Sequence, residues 1–307
     1  VKAEPVRILV PLDRGESARE PARLLGALFS PAAIHVRALH VGRVAVPLFY
    51  FPSGLEALGS LRREHLDWEE KARRALKRQV GPLEDAGFAV EVEVTAGSAL
   101  GEVLKRAELW RADLVLARPR GERDRSRGLG SVAAGLMQTA SAPVLLYRRV
   151  SAGYRVRRVL APVDFSSFSR KAVGWSLLVA SLARAGLRLL HVLPEASARW
   201  APRLRRMAVE MVREERQRAE RQLRQFGGSA IPVEAIIVER KDPARGVIEA
   251  QKEGIDLVVL GASGKTGIAS VLGSVTRRVV RDCPCPVLVI PTSSRVSAQE
   301  VWRKSRR

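Results

Sequence analysis

Short apolar runs and charged, helix-length stretches alternate along the whole chain. Residues 6–12, 34–40, 113–117 and 144–147 are dominated by Val, Ile, Leu and Ala. Such runs predict strands covered on both sheet faces, and the helical stretches between them call for parallel connections. Val90-Glu91-Val92-Glu93-Val94 alternates strictly instead, so it is predicted to have one solvated face and to lie at the sheet rim. Residues 62–80 and 203–226 read as long charged helices, the first stopped by Gly81-Pro82 and the second by Gly227-Gly228. The mixed Arg and Glu of the second predict a solvated face with i,i+4 pairs rather than a helix that reads nucleic acid.

The pattern also repeats. Ile8-Leu9-Val10-Pro11-Leu12-Asp13 returns as Val159-Leu160-Ala161-Pro162-Val163-Asp164, and Leu39-His40-Val41 as Leu190-His191-Val192, both 151 positions later. Asp113-Leu114-Val115-Leu116, Gly130-Ser131-Val132 and Ala142-Pro143-Val144-Leu145 recur at an offset of 143, as Asp256-Leu257-Val258-Val259, Gly273-Ser274-Val275 and Cys285-Pro286-Val287-Leu288. The first copy therefore carries eight more residues, which we place in a loop-like insertion at 45–58. Each copy reads strand, helix, strand, long helix, strand, helix, strand, helix, strand. The predicted fold class is α/β, with two tandem doubly wound parallel-sheet domains at residues 1–150 and 151–294, joined near Ser151-Ala152-Gly153. Residues 295–307, ending Arg303-Lys304-Ser305-Arg306-Arg307, are expected to form a frayed basic tail.

Bulk properties narrow the picture. A length of 307 residues suits two average domains, and 46% hydrophobic with 28% charged residues fits a folded chain. No apolar run is long enough to span a bilayer, and Val1 to Pro5 lacks the pattern of an export signal, so the expected address is cytoplasmic, with no membrane partner. Cys283 and Cys285 are expected to be thiols in a reducing cytosol, and two ligands are too few for structural zinc. The net charge of +21 predicts salt-dependent attraction to polyanions. Arginine is spread along the whole chain, however, and aromatics are 5% with no basic-aromatic interleaving, so nucleic acid is the weaker partner.

Ligands of open parallel sheets sit outside the carboxyl ends of the strands. The richest such segment is Gly261-Ala262-Ser263-Gly264-Lys265-Thr266-Gly267, followed by Leu272-Gly273-Ser274-Val275-Thr276. Glycines at 261 and 264 let main-chain amides approach an anion, and Gly273, Ser274 and Val275 offer a second donor set at a helix start. A plain strand-to-helix turn explains the first two glycines equally well when they are taken alone. Gly264-Lys265-Thr266 looks like the end of a P-loop, but Val259 occupies the position of that motif's first glycine, which rejects it.

These residues resemble the universal stress protein family, whose nucleotide-binding members carry Gly, two residues, Gly, nine residues, Gly, then Ser or Thr. Here eight residues separate Gly264 from Gly273-Ser274. The resemblance extends to Pro162-Val163-Asp164, His191-Val192 and Cys285-Pro286-Val287-Leu288-Val289-Ile290, and covers each copy nearly end to end. It implies a Rossmann-like, adenine nucleotide alpha hydrolase-like fold and a stress-response or signalling role. The implied ligand is ATP, or AMP or ADP, with magnesium as a candidate companion ion. Adenine and ribose would lie near Pro162, Val163, Asp164 and Val192, and phosphates near Gly261, Gly264, Gly273, Ser274 and Val275. Asp164 reads equally well as a helix N-cap. The first copy departs from the signature: Arg118-Pro119 stands where the first glycine belongs and residues 122–127 are charged, although Gly121 and Gly130-Ser131 keep the spacing. A degenerate or altered first site is predicted, with Asp13 and Val41 retained.

Little points to catalysis. His35, His40, His65 and His191 are scattered, and two of them occupy equivalent strand ends, where packing is the expected role. Asp13-Arg14-Gly15-Glu16 and Asp164-Phe165-Ser166-Ser167 lack the Ser-Gly-Gly-rich loop of related folds that transfer adenylyl groups. Slow ATP hydrolysis is the enzymatic alternative, without a nominated general base. Family members commonly dimerise through the last strand, so the resemblance implies an intramolecular pseudo-dimer pairing 144–147 with 287–290. It leaves open a homodimer of whole chains.

Overall fold

A computed structural model describes residues 4–42, 55–120, 129–193, 195, 201–226, 231–263 and 272–306. The first half runs β1 (Val6–Pro11), α1 (Arg19–Leu28), β2 (Ile34–Gly42), α2 (Leu55–Asp85), β3 (Ala89–Ala96), α3 (Ala99–Leu109), β4 (Leu114–Ala117), α4 (Ser131–Thr139) and β5 (Val144–Leu146). The second repeats it as β6 (Arg158–Pro162), α5 (Ser167–Ala183), β7 (Gly186–Leu193), α6 (Ala201–Leu223), β8 (Val233–Glu239), α7 (Pro243–Gln251), β9 (Leu257–Gly261), α8 (Ser274–Asp282) and β10 (Val287–Ile290), then adds α9 (Ala298–Ser305).

Among the described residues the strands form one ten-stranded sheet in the order β3-β2-β1-β4-β5-β10-β9-β6-β7-β8. Pairing is parallel within each half, while β5 and β10 pair antiparallel, with Val287 opposite Leu146, Leu288 opposite Leu145 and Val289 opposite Val144. Both strands are fully buried, so left unpaired each would present a flat apolar edge; the seam satisfies both and makes the pseudo-dimer one sheet. Side chains alternate between two cores that each cross the seam. Ile8, Leu145 and Leu288 face the layer of α1, α2 and α5, whereas Leu9, Val144, Val289 and Val258 face α3, α4, α7 and α8. The alternating strand β3 lies at the rim, as its pattern predicts.

Two expectations need amendment. Gly81-Pro82 does not stop α2, which continues to Asp85 because Val80 and Leu83 are both fully buried. It ends in a Schellman motif: Gly87 has φ +84°, its N–H donates to Glu84 and that of Phe88 to Leu83. Residues 295–306 of the expected tail are not frayed, because Ala298, Val301, Trp302 and Ser305 form a helical stripe hidden among basic residues. Ser297 caps α9 through the Glu300 N–H, Val301 is 1% exposed, the Trp302 ring meets Phe226 edge-on at 5.8 Å, and Lys304 Nζ donates to Asp113 of the first half at 2.8 Å. The insertion placed at 45–58 lies outside the described residues except for its last four positions, which open α2. Gly227-Gly228 also lies outside them, but α6 carries the expected surface i,i+4 pair of Arg216 with Glu220, while Glu215, paired with Arg218 at i,i+3, is buried. Among the described residues no helix is long and apolar enough to cross a membrane.

Candidate functional site

Strands β9, β6 and β7 are neighbours, so Gly261, Pro162 and Val192 reach the same edge of the sheet. The helix after β6 packs on one face and the helix after β9 on the other, which makes the gap between their carboxyl ends a topological switch point. Val163 continues β6 by donating its N–H to Leu190 at 2.8 Å. Asp164 is not the N-cap: Ser166 caps α5 through the Ser169 N–H, while Asp164 Oδ1 accepts from the Ser166 N–H at 3.0 Å and shapes the turn before it. Within that turn Phe165 has φ +66°, a conformation unusual for a bulky side chain, and its ring lies 4.7 Å from that of His191. His191 Nδ1 hydrogen-bonds the Val163 carbonyl at 2.8 Å, a packing role.

On the other side of the gap, α8 starts directly over the end of β9. The Gly273 N–H donates to Ala262 at 2.8 Å and Thr276 Oγ1 to the Gly261 carbonyl at 2.8 Å. A Cβ at Gly273 would meet the Ala262 oxygen at 3.3 Å, and one at Gly261 would meet Phe168 and the Ser263 oxygen at 3.2 Å. Both glycines therefore serve close backbone packing. Gly273 also leaves α8 without a side-chain cap, whereas α5, α7 and α9 are capped by Ser166, Asp242 and Ser297. The amides of Ser274 and Val275 belong to the first turn, whose N–H groups have no intrahelical acceptor and carry the positive end of the helix dipole. Gly264 lies outside the described residues; the other eight predicted site residues converge on this edge.

The first half keeps the same main-chain frame. Gly130 N–H donates to Pro119 at 2.9 Å, as Gly273 does to Ala262, and His40 Nδ1 bonds Leu12 as His191 bonds Val163. The side chains differ. Arg118, at the position of Gly261, makes ion pairs with Glu16 and with Glu20, and its guanidinium lies 5.6 Å from the centre of the Tyr147 ring. Glu16 is 4% exposed, and its second oxygen accepts from the Asp13 N–H at 2.9 Å. Burial opposes the charge on Arg118, but Glu16, Tyr147 and Glu20 together raise its pKa above the usual value. Burial, reinforced by Glu16, also pushes the Tyr147 phenol up. Pro11, Leu12, Asp13, Val41, Arg118 and Val132 enclose a cavity of only about 110 Å³, well under the roughly 300–1,000 Å³ of small-molecule pockets.

The universal stress protein family model matches residues 6–148 and 155–291, once over each half. The chain belongs to the universal stress protein family. A universal stress protein of Methanocaldococcus jannaschii is 28% identical over 144 residues, which are 44% of this chain and 81% of that protein. The structure of a universal stress protein from Archaeoglobus fulgidus aligns with a TM-score of 0.65 at 21% identity, covering 94% of this chain and 100% of that one. One from Pseudomonas aeruginosa aligns at 0.60 and 16% identity, covering 98% and 96%. These likenesses bear on the fold, two Rossmann-like, adenine nucleotide alpha hydrolase-like units in tandem.

Motif reading passed over Glu16, Glu20, Tyr147 and Phe165. A signal for the first three existed in the repeat, since Glu16 replaces Ser167, Glu20 replaces Lys171 and Tyr147 replaces Ile290, all within the copy of the universal stress protein unit where Arg118 replaces Gly261. Phe165 gave none, because its backbone conformation cannot be read from its residue type.

Proposed function

We propose that this universal stress protein is a stress-response or signalling protein whose second half binds ATP or a related adenine nucleotide. Adenine and ribose would sit against Pro162, Val163, Asp164 and Val192, and the phosphates against the amides of Gly273, Ser274 and Val275, with Gly261 and Gly264 completing the cradle. The carrying observation is the glycine-capped start of α8 seated on the end of β9 at the switch point. Magnesium, where a triphosphate binds, would balance phosphate charge. The first half, its equivalent gap filled by Arg118, would contribute no nucleotide site.

Calorimetric titration with ATP, AMP and cyclic nucleotides tests this, comparing the intact protein with Gly273→Asp. Aspartate is a good N-cap, so α8 should persist while its carboxylate occupies the amides and repels phosphate. Binding by the parent at low salt, lost in the variant, is expected. Absence of binding to any adenine nucleotide would remove the function, and release of ADP during the ATP titration would reveal hydrolysis.

A further inference from the structure

The proline-linked thiols Cys283 and Cys285 lie where α8 passes into β10. Cys283 is the C-cap of α8 and is 1% exposed, while Cys285 is half-buried and comes two residues before β10. Their sulfurs are 3.4 Å apart, and both are free. A disulfide needs about 2.0 Å, so closing one takes an approach of about 1.4 Å without any rearrangement of partners.

Packing alone does not ask for sulfur here. The first half has Ala140-Ser141-Ala142 at the same repeat positions, with both alanines fully buried. A buried small hydrophobe therefore suffices at each site, and the second half places two mutually facing thiols where the first makes do with methyl groups. Arg148, from the first half, reaches across the seam to the last carbonyls of α8 at Val280 and Arg281, bringing a positive charge beside the pair. The hydrogen bond from Cys285, together with Arg148, holds the Cys283 thiol below its ordinary range, and the same hydrogen bond, with burial, pushes Cys285 up.

We propose that Cys283 and Cys285 form an oxidisable dithiol that takes low-molecular-weight disulfides as its oxidant and closes reversibly to an intrachain disulfide. Cys283, as thiolate, takes the Cys285 proton across the 3.4 Å contact, and the more accessible Cys285 sulfur attacks one sulfur of the small disulfide. A Cys285 mixed disulfide forms and one small thiolate leaves. Cys283 gives its proton to that thiolate and attacks the Cys285 sulfur, expelling the second small thiolate, which is protonated by solvent. The protein loses two electrons, and one small disulfide becomes two small thiols.

The test is incubation of the intact protein with oxidised glutathione at neutral pH, followed by denaturation, alkylation and mass measurement. The parent should lose two hydrogens and both alkylatable thiols, remain monomeric on a non-reducing gel and recover fully with dithiothreitol. Cys283→Ala, a residue the first half already carries at that position, should fold normally and stop at a single glutathionyl adduct on Cys285. A parent that keeps both thiols, stops at the mixed adduct or forms covalent dimers would overturn the proposal.

Discussion

The two halves share a backbone and differ in what fills the mouth between their first and fourth strands. In the second half Gly261 lies bare against Phe168, whereas in the first Arg118 projects from the equivalent position beside Glu16, with Ser17 where Phe168 would stand. Yet the helix after that strand is seated identically in both, through Gly130 on Pro119 and Gly273 on Ala262. The seating hydrogen bond thus belongs to the fold, and the two mouths are told apart by a handful of side chains around it. A duplicated unit can fill one mouth with an internal ion pair and lose nothing that the sheet requires.

The largest expected effect comes from opening the closed site. Arg118→Ala strips the buried Glu16 carboxylate of its arginine and should cost about 3 kcal/mol in urea unfolding. The double variant Glu16→Ser, Arg118→Gly, which copies the second half, should lose less; a larger loss, equal to the sum of the two single losses, would mean the pair is not coupled. The converse exchange, Gly261→Arg, should weaken adenine nucleotide binding by about a hundredfold, or about 2.7 kcal/mol, by calorimetry. Unchanged affinity would show that the mouth of the second half is not the site.

A smaller difference separates the acids that open the fourth strands. Asp256 accepts from the Arg157 and Arg158 amides, whereas Asp113 accepts from the Arg7 amide and also holds Lys304. Lys304→Ala should cost about 1.5 kcal/mol. Burial opposes the charge on Lys304, but Asp113 and Glu300 raise its pKa above the usual 10.5. The contribution is therefore complete at neutral pH and is lost only as pH climbs through the raised value. Thermal unfolding of parent and variant should differ by a constant amount between pH 7 and pH 10 and converge as pH rises further. The smallest effect should also be the most symmetric: His40→Asn and His191→Asn should each cost about 1 kcal/mol, one in each half, since the rings hold equivalent carbonyls, those of Leu12 and Val163.

Periodicity and repetition made most of the architecture legible. Buried runs predicted interior strands and alternation at 90–94 predicted a rim strand, while the seam at β5 and β10 was implied only by the family resemblance. What escaped was set by tertiary burial. Gly81-Pro82 looked like a stop only because the buried flanking side chains that carry α2 past it are invisible locally. The stripe Ala298, Val301, Trp302, Ser305 was obscured by basic neighbours that point to solvent. At the site, glycine positions stood out, but that Gly261 accommodates Phe168 as well as any phosphate emerges only when the two loops are placed together.

The contact between Lys304 and Asp113 also has a meaning in time. The lysine is synthesised 191 residues after the aspartate it pairs with. At cellular rates of roughly 5–20 residues per second, the amino-terminal unit spends roughly ten to forty seconds of translation without that partner. Until α9 arrives the Asp113 carboxylate lacks this counter-ion, and the helix fastens the first half only after the second half has been made.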